Sequence, residues 1–169
     1  MILHEEILKE HSKSQCNRIV DWIDDNQKRF DQLFKLFLYG TAIETQRASW
    51  PLGYAVARHP ALIGKHWKSL LAYLQKPDLH NAIKRNSIRF LTFTEIPEKY
   101  RGTVMDTCFR FLESPSEAVA VKVHCLVVLK NLSTYYPEII PEIKLVVDAQ
   151  VSGQTAGFTS CARKVLKDI

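Results

Sequence analysis

Glycine and proline are scarce in this chain, at 6 and 7 of 169 residues. They stand mostly as single punctuation marks, which leaves no room for a flexible linker. Long apolar runs are missing too. The densest, Ala118 to Leu129, is interrupted by Lys122 and His124, and nothing approaches the ~20 residues of a membrane helix. The start, Met1-Ile2-Leu3-His4-Glu5-Glu6, is acidic where a secretory leader would be basic. The expectation is a protein neither secreted nor inserted in a membrane. Cys16, Cys108, Cys125 and Cys161 form no C-x-x-C pair. They are expected as reduced, buried, small apolar side chains, which points to the cytoplasm. No two histidines share a helix face with a carboxylate at zinc-ligand spacing, so no metal or other cofactor is expected. Nucleophile elbows, Walker loops and dinucleotide fingerprints are all missing. Asp24/Asp25 and Glu95/Glu98 fall at predicted helix ends, where capping accounts for them. The reading is of a protein that is not an enzyme.

The few breakers that are present are regularly spaced. Pro60, Pro97 and Pro137 stand 37 and 40 residues apart. Between them Pro77, Pro115 and Gly153 stand 38 and 38 apart. Each interval carries apolar residues at helical spacing. Two interleaved series of breaks imply a repeated unit of two helices.

The helices follow from that frame. Ile2 to Glu10 reads as a short first helix. Ser12 is placed to cap a second, with Cys16, Ile19, Val20 and Ile23 on one stripe. Asp24-Asp25-Asn26 ends it. Phe30, Leu33, Phe34, Phe37 and Leu38 form a third stripe, closed near Gly40. In 42–58, Pro51 and Gly53 leave two readings open: a bent helix, or one that starts late with Pro51 in its first turn. Ile63, Trp67, Leu70, Leu71 and Leu74 then share a face, followed by Ile83, Ser87, Phe90 and Leu91. Tyr100, Val104, Cys108, Phe111 and Leu112 make the next, and Ser114-Pro115-Ser116-Glu117 reads as a capping box opening its successor. That successor is apolar nearly all round and belongs at the centre. Ile139, Ile143, Val146 and Val147, then Phe158, Cys161, Ala162, Val165 and Ile169, complete the chain.

The repeats fall at 1–25, 26–59, 60–96, 97–136 and 137–169. The last three open with Pro, turn at Lys76-Pro77-Asp78, Ser114-Pro115-Ser116 or Val151-Ser152-Gly153, and carry a basic residue on the second helix. This pattern resembles the HEAT repeat, most closely in Lys76 to Leu91, where Asp78 and Arg85 occupy the family's polar positions. Pro141 matches that family's tendency to kink its first helix. The resemblance implies an all-α fold: an α-α superhelix, or HEAT-like solenoid, of four to five antiparallel helix pairs in a single domain. It also implies that second helices line an inner, binding surface.

Charge is unevenly placed. Residues 1–46 carry net −2, residues 47–101 net +7 and residues 102–169 none. Arg47, Lys84, Arg85, Arg89 and Lys122 fall on predicted second helices, and Arg85 and Arg89 share a face at i, i+4. With Trp50 beside Arg47, these six make a candidate partner-binding strip for an acidic protein surface. A structural role competes with it: Arg85 bracing Asp78, and Lys122 bonding Glu117. The function expected is a non-enzymatic binding or scaffold module with a basic concave face. The alternative is nucleic-acid binding, since the resemblance extends to HEAT-like DNA glycosylases, whose catalytic set has no matching positions here.

Overall fold

Apolar residues at helical spacing and side-chain caps produce ten α-helices and no strand. The computed structural model describes all 169 residues. In chain order these are α1 Leu3–Lys9, α2 Lys13–Ile23, α3 Gln27–Tyr39, α4 Ala42–Arg58, α5 Trp67–Leu74, α6 Asn81–Leu91, α7 Glu98–Glu113, α8 Val119–Ser133, α9 Ile140–Val151 and α10 Ala156–Lys167. Short 3-10 segments, Pro60–His66 and Pro137–Ile139, precede α5 and α9. The chain divides into two compact units, Met1–Glu95 and Ile96–Ile169.

The caps are local chemistry. The Ser12, Asn26 and Thr155 side chains accept the amide hydrogens of Gln15, Arg29 and Phe158 at the starts of α2, α3 and α10. Asp24 takes the left-handed turn at φ 49° and ends α2. Gly40 ends α3 at a close approach. A Cβ there would lie 2.6 Å from the Leu36 carbonyl oxygen and 2.8 Å from the Glu44 Cβ, so only glycine fits.

In the first unit α4 is the hub, touching α1, α2, α3, α6 and the 3-10 segment Pro60–His66. Small buried residues, Ala48, Ser49 and Ala55, let so many neighbours approach it. It begins at a full capping box of Thr41 and Glu44, so the late start at Pro51 is excluded, and the helix runs through the proline. Pro51 itself is buried, and it contributes no N–H to the helix. Around this hub Phe30, Phe37, Trp67 and Phe90 are buried almost completely, each side chain contributing about 2–3 kcal/mol.

In the second unit α8 holds the centre, packing on α7, α9 and α10. Its buried set, from Val121 through Leu132, covers most of its surface, as its apolar composition required. Two expectations fail here. Ser114 is not a helix N-cap: α7 runs to Glu113, so Ser114 closes α7, and α8 starts four residues later than the box would place it, after Ala118 and without a side-chain cap. Glu117 instead accepts the Ala118 amide at 3.0 Å. Pro141 causes no kink because it sits in the first turn of α9, where a missing N–H costs nothing.

One polar node fixes the first unit. Asp31 on α3 accepts from Lys65 (2.7 Å), His66 (2.7 Å) and Gln27 (3.0 Å), while Gln27 also donates to the Leu62 carbonyl at 3.0 Å. His66 stacks on Phe34 with ring centroids 4.1 Å apart. Desolvation raises the Asp31 pKa, but the bonds from Lys65, Gln27 and His66 outweigh it and hold the carboxyl down to about 2. An unfolded aspartate titrates near ~4. The stabilisation is therefore complete above about pH 4 and lost as pH falls through about 2. Asp31→Asn should cost about 1–2 kcal/mol at neutral pH. In urea titrations its gap to wild type should narrow as pH falls from 4 towards 2; a gap independent of pH would contradict this assignment.

Candidate functional site

Part of the excess positive charge in the middle of the chain is consumed inside the first unit. That unit carries 14 Lys and Arg against 10 Asp and Glu, net +4. Arg58 on α4 pairs with Asp21 on α2 at 2.7 Å, and His59 meets Asp24 at 3.1 Å. Lys65 is taken by Asp31. The acidic first helices and the basic middle segment are thus partners of one another, chiefly at helix ends.

The six strip residues separate under the same accounting. Arg47 turns towards α1, where its guanidinium donates to the carbonyls of Leu8 (2.8 Å) and Ile7 (3.4 Å). That closes a helix C-terminus and is a structural role. Lys84 is half-buried and already engaged. Arg85 is exposed and makes neither a hydrogen bond nor an ion pair, so the brace to Asp78 does not form. Asp78 instead occupies the turn at φ 57°. Trp50 is half-buried and meets His11 edge-on, ring centroids 5.1 Å apart. With Asn86, Arg89 and Phe93 it lines a shallow hollow along the seam of α4 and α6.

Lys122 does not face a partner at all. It is 1% exposed, in the second unit. Its ammonium donates to the Gln150 Oε1 at 2.6 Å, and Gln150 in turn donates to the Leu112 carbonyl at 2.8 Å. Burial lowers the lysine pKa, with the Glu117 charge opposing. The long apolar stem fills the core, one amide side chain accepts one of the three N–H groups of the head, and the Glu117 charge offsets part of the burial cost.

Arg89 leads to residues the sequence did not single out. Its guanidinium lies 5.0 Å from the ring centroid of Tyr54 on α4. The Nζ of Lys13, at the start of α2, lies 3.4 Å from the same centroid. Lys13, then Arg89, as cations beside the ring, hold the Tyr54 phenol below its ordinary pKa. Neither cation has a carboxylate partner. Three consecutive second helices, α2, α4 and α6, therefore converge two cations on one phenol, with Trp50 one turn before it and Phe93, 49% exposed, beyond the end of α6. Lys13 and Tyr54 are 41 residues apart, and only the stacking of α2 on α4 joins them. The one local signal was a lysine in the first turn of a helix, the unfavourable end of its dipole.

Elsewhere a cavity of about 590 Å3 opens beside Ile2, Leu36 and Tyr39. Of its polar lining, which also includes Gln32, Lys35 and Thr41, His4 and Glu44 are spent on each other at 2.5 Å. No cluster of three His, Cys, Asp or Glu side chains could hold a metal ion. No helix is long and apolar enough to cross a membrane. All four cysteines are free; Cys16, Cys108 and Cys125 are buried, and Cys161 is half-buried.

The buried lysine yields a test. Lys122→Met keeps the stem and removes the charge, and should stay within about 1 kcal/mol of wild type in chemical denaturation. Lys122→Glu should lose about 3 kcal/mol or more. Equal losses would show that the Lys122–Gln150 bond, rather than the packed stem, supplies the stability.

Among known proteins, the family model that matches is the HEAT repeat domain, over residues 3–169. No curated protein and no solved structure matches the chain. The match spans all ten helices, and their arrangement in about five successive pairs is the α-solenoid architecture of that family. The chain belongs to the HEAT repeat domain family.

Proposed function

We propose that this protein is a non-enzymatic binding module whose α2–α4–α6 face takes an acidic segment of a partner protein. The carrying observation is the state of three cations. Arg85, Arg89 and Lys13 have no carboxylate partner, whereas Arg58, Lys65 and Arg47 are spent inside the fold. Charges left unpaired on one face attract an oppositely charged surface and speed its encounter. Trp50 and Phe93 beside them add aromatic area, which interfaces favour. Free, mostly buried thiols fit a reducing compartment such as the cytoplasm.

A second reading has its own support. Aromatic rings interleaved with cations also suit nucleic acid, whose phosphates and bases use both. One titration separates the two. Labelled poly-glutamate should bind at low salt, and the double variant Arg85→Glu, Arg89→Glu should weaken it about tenfold or more with helical content unchanged. Unchanged binding by that variant would remove the acidic-face reading. Tighter, steeply salt-dependent binding of duplex DNA would favour the second reading.

A further inference from the structure

The cations on this face are not spread evenly, and their convergence points to a particular anion. Resting on the acidic-partner reading above, we infer that Lys13, Tyr54 and Arg89 form a cradle for one phosphate monoester, carried on a phosphorylated serine or threonine of the partner protein.

The geometry supports a compact dianion. Lys13 Nζ and the Arg89 guanidinium carbon lie 3.4 and 5.0 Å from one ring centroid, which bounds their separation at 8.4 Å. Charge-assisted bonds place each cation about 4 Å from a phosphorus, so two flanking cations stand at most about 8 Å apart. A phosphoserine carries nearly two negative charges and three acceptor oxygens at neutral pH. The cradle offers two positive charges gathered on one ring, and that ring carries a phenol hydroxyl. A glutamate brings one charge and two coplanar oxygens, which engage one fork and leave the other cation unmatched.

The helix positions reinforce this. Lys13 is the first residue of α2, and no acidic residue stands in that first turn. The positive end of the helix dipole therefore adds to the lysine charge instead of offsetting it. Glu10, just before the helix, accepts from the Ser12 hydroxyl at 2.6 Å. Two like charges brought together from α2 and α6 without a counter-charge raise the energy of the empty site, and an anion entering it relieves that cost.

The test compares peptides that share acidic flanks and differ at one central residue, phosphoserine or glutamate, titrated against the intact chain. The phosphoserine peptide should bind about tenfold more tightly than its glutamate counterpart. Lys13→Ala and Arg89→Ala should bring that ratio towards one, and Tyr54→Phe, which keeps the ring and removes the hydroxyl, should reduce it severalfold. Arg85→Ala, outside the cradle, should weaken both peptides by the same factor and preserve the ratio. Melting curves on each variant verify that the fold persists. Equal affinity for the two peptides in wild type would overturn the phosphate cradle while leaving the acidic-face reading standing. Binding of neither peptide would sink both. Inorganic phosphate binding as tightly as the phosphopeptide would identify a small-anion site and overturn the partner-protein assignment.

Discussion

A pair of short amphipathic helices cannot bury its own apolar stripe, and every other feature of this protein follows from that constraint. The stripe must be covered by the neighbouring pair, so one helix in each unit is enclosed from several sides. In the first unit this is α4, built from small residues that admit four other helices. In the second it is α8, built from aliphatics on nearly every side. The two solutions differ in side-chain size, and each bonds its larger buried polar side chains, while the Ser87 hydroxyl on α6 is buried without a partner. Asn86 on α6 donates to Ser49 on α4 at 2.9 Å, and Lys122 donates to Gln150.

Stacking also decides which charges are free. Helix ends bring Asp21, Asp24 and Asp31 beside Arg58, His59 and Lys65, and these groups neutralise one another. No acid is brought beside Arg85, Lys13 or Arg89, so Arg85 stays unpaired and Lys13 and Arg89 meet over Tyr54. The face with residual charge is thus a by-product of how the acids are placed. Its chemistry is set by three side chains more than by net charge.

Punctuation carries the fold because Pro and Gly act through the local backbone. Ser12, Asn26, Gly40 and the turn at Pro77-Asp78 do what their chemistry dictates wherever the chain goes. Ser114-Pro115-Ser116-Glu117 misleads because a cap motif cannot tell the end of α7 from the start of α8. The candidate site was harder to read. Arg47 and Lys122 look like Arg85 and Arg89 in a repeat alignment, yet the first caps α1 and the second lies in the core. What separates them is a long-range partner, a carbonyl of Leu8 or the amide of Gln150, that no local pattern announces. Tyr54 was hidden for the same reason, since its importance comes from residues 41 before and 35 after it.

The central claim is that partner recognition belongs to the α2–α4–α6 face of the first unit. Amide chemical-shift mapping during titration with an acidic phosphopeptide tests it most directly. The account predicts that shifts concentrate around Lys13, Trp50, Tyr54, Arg85 and Arg89 and leave α8 and α10 unmoved. Shifts concentrated in the second unit, or spread evenly over the surface, would contradict it.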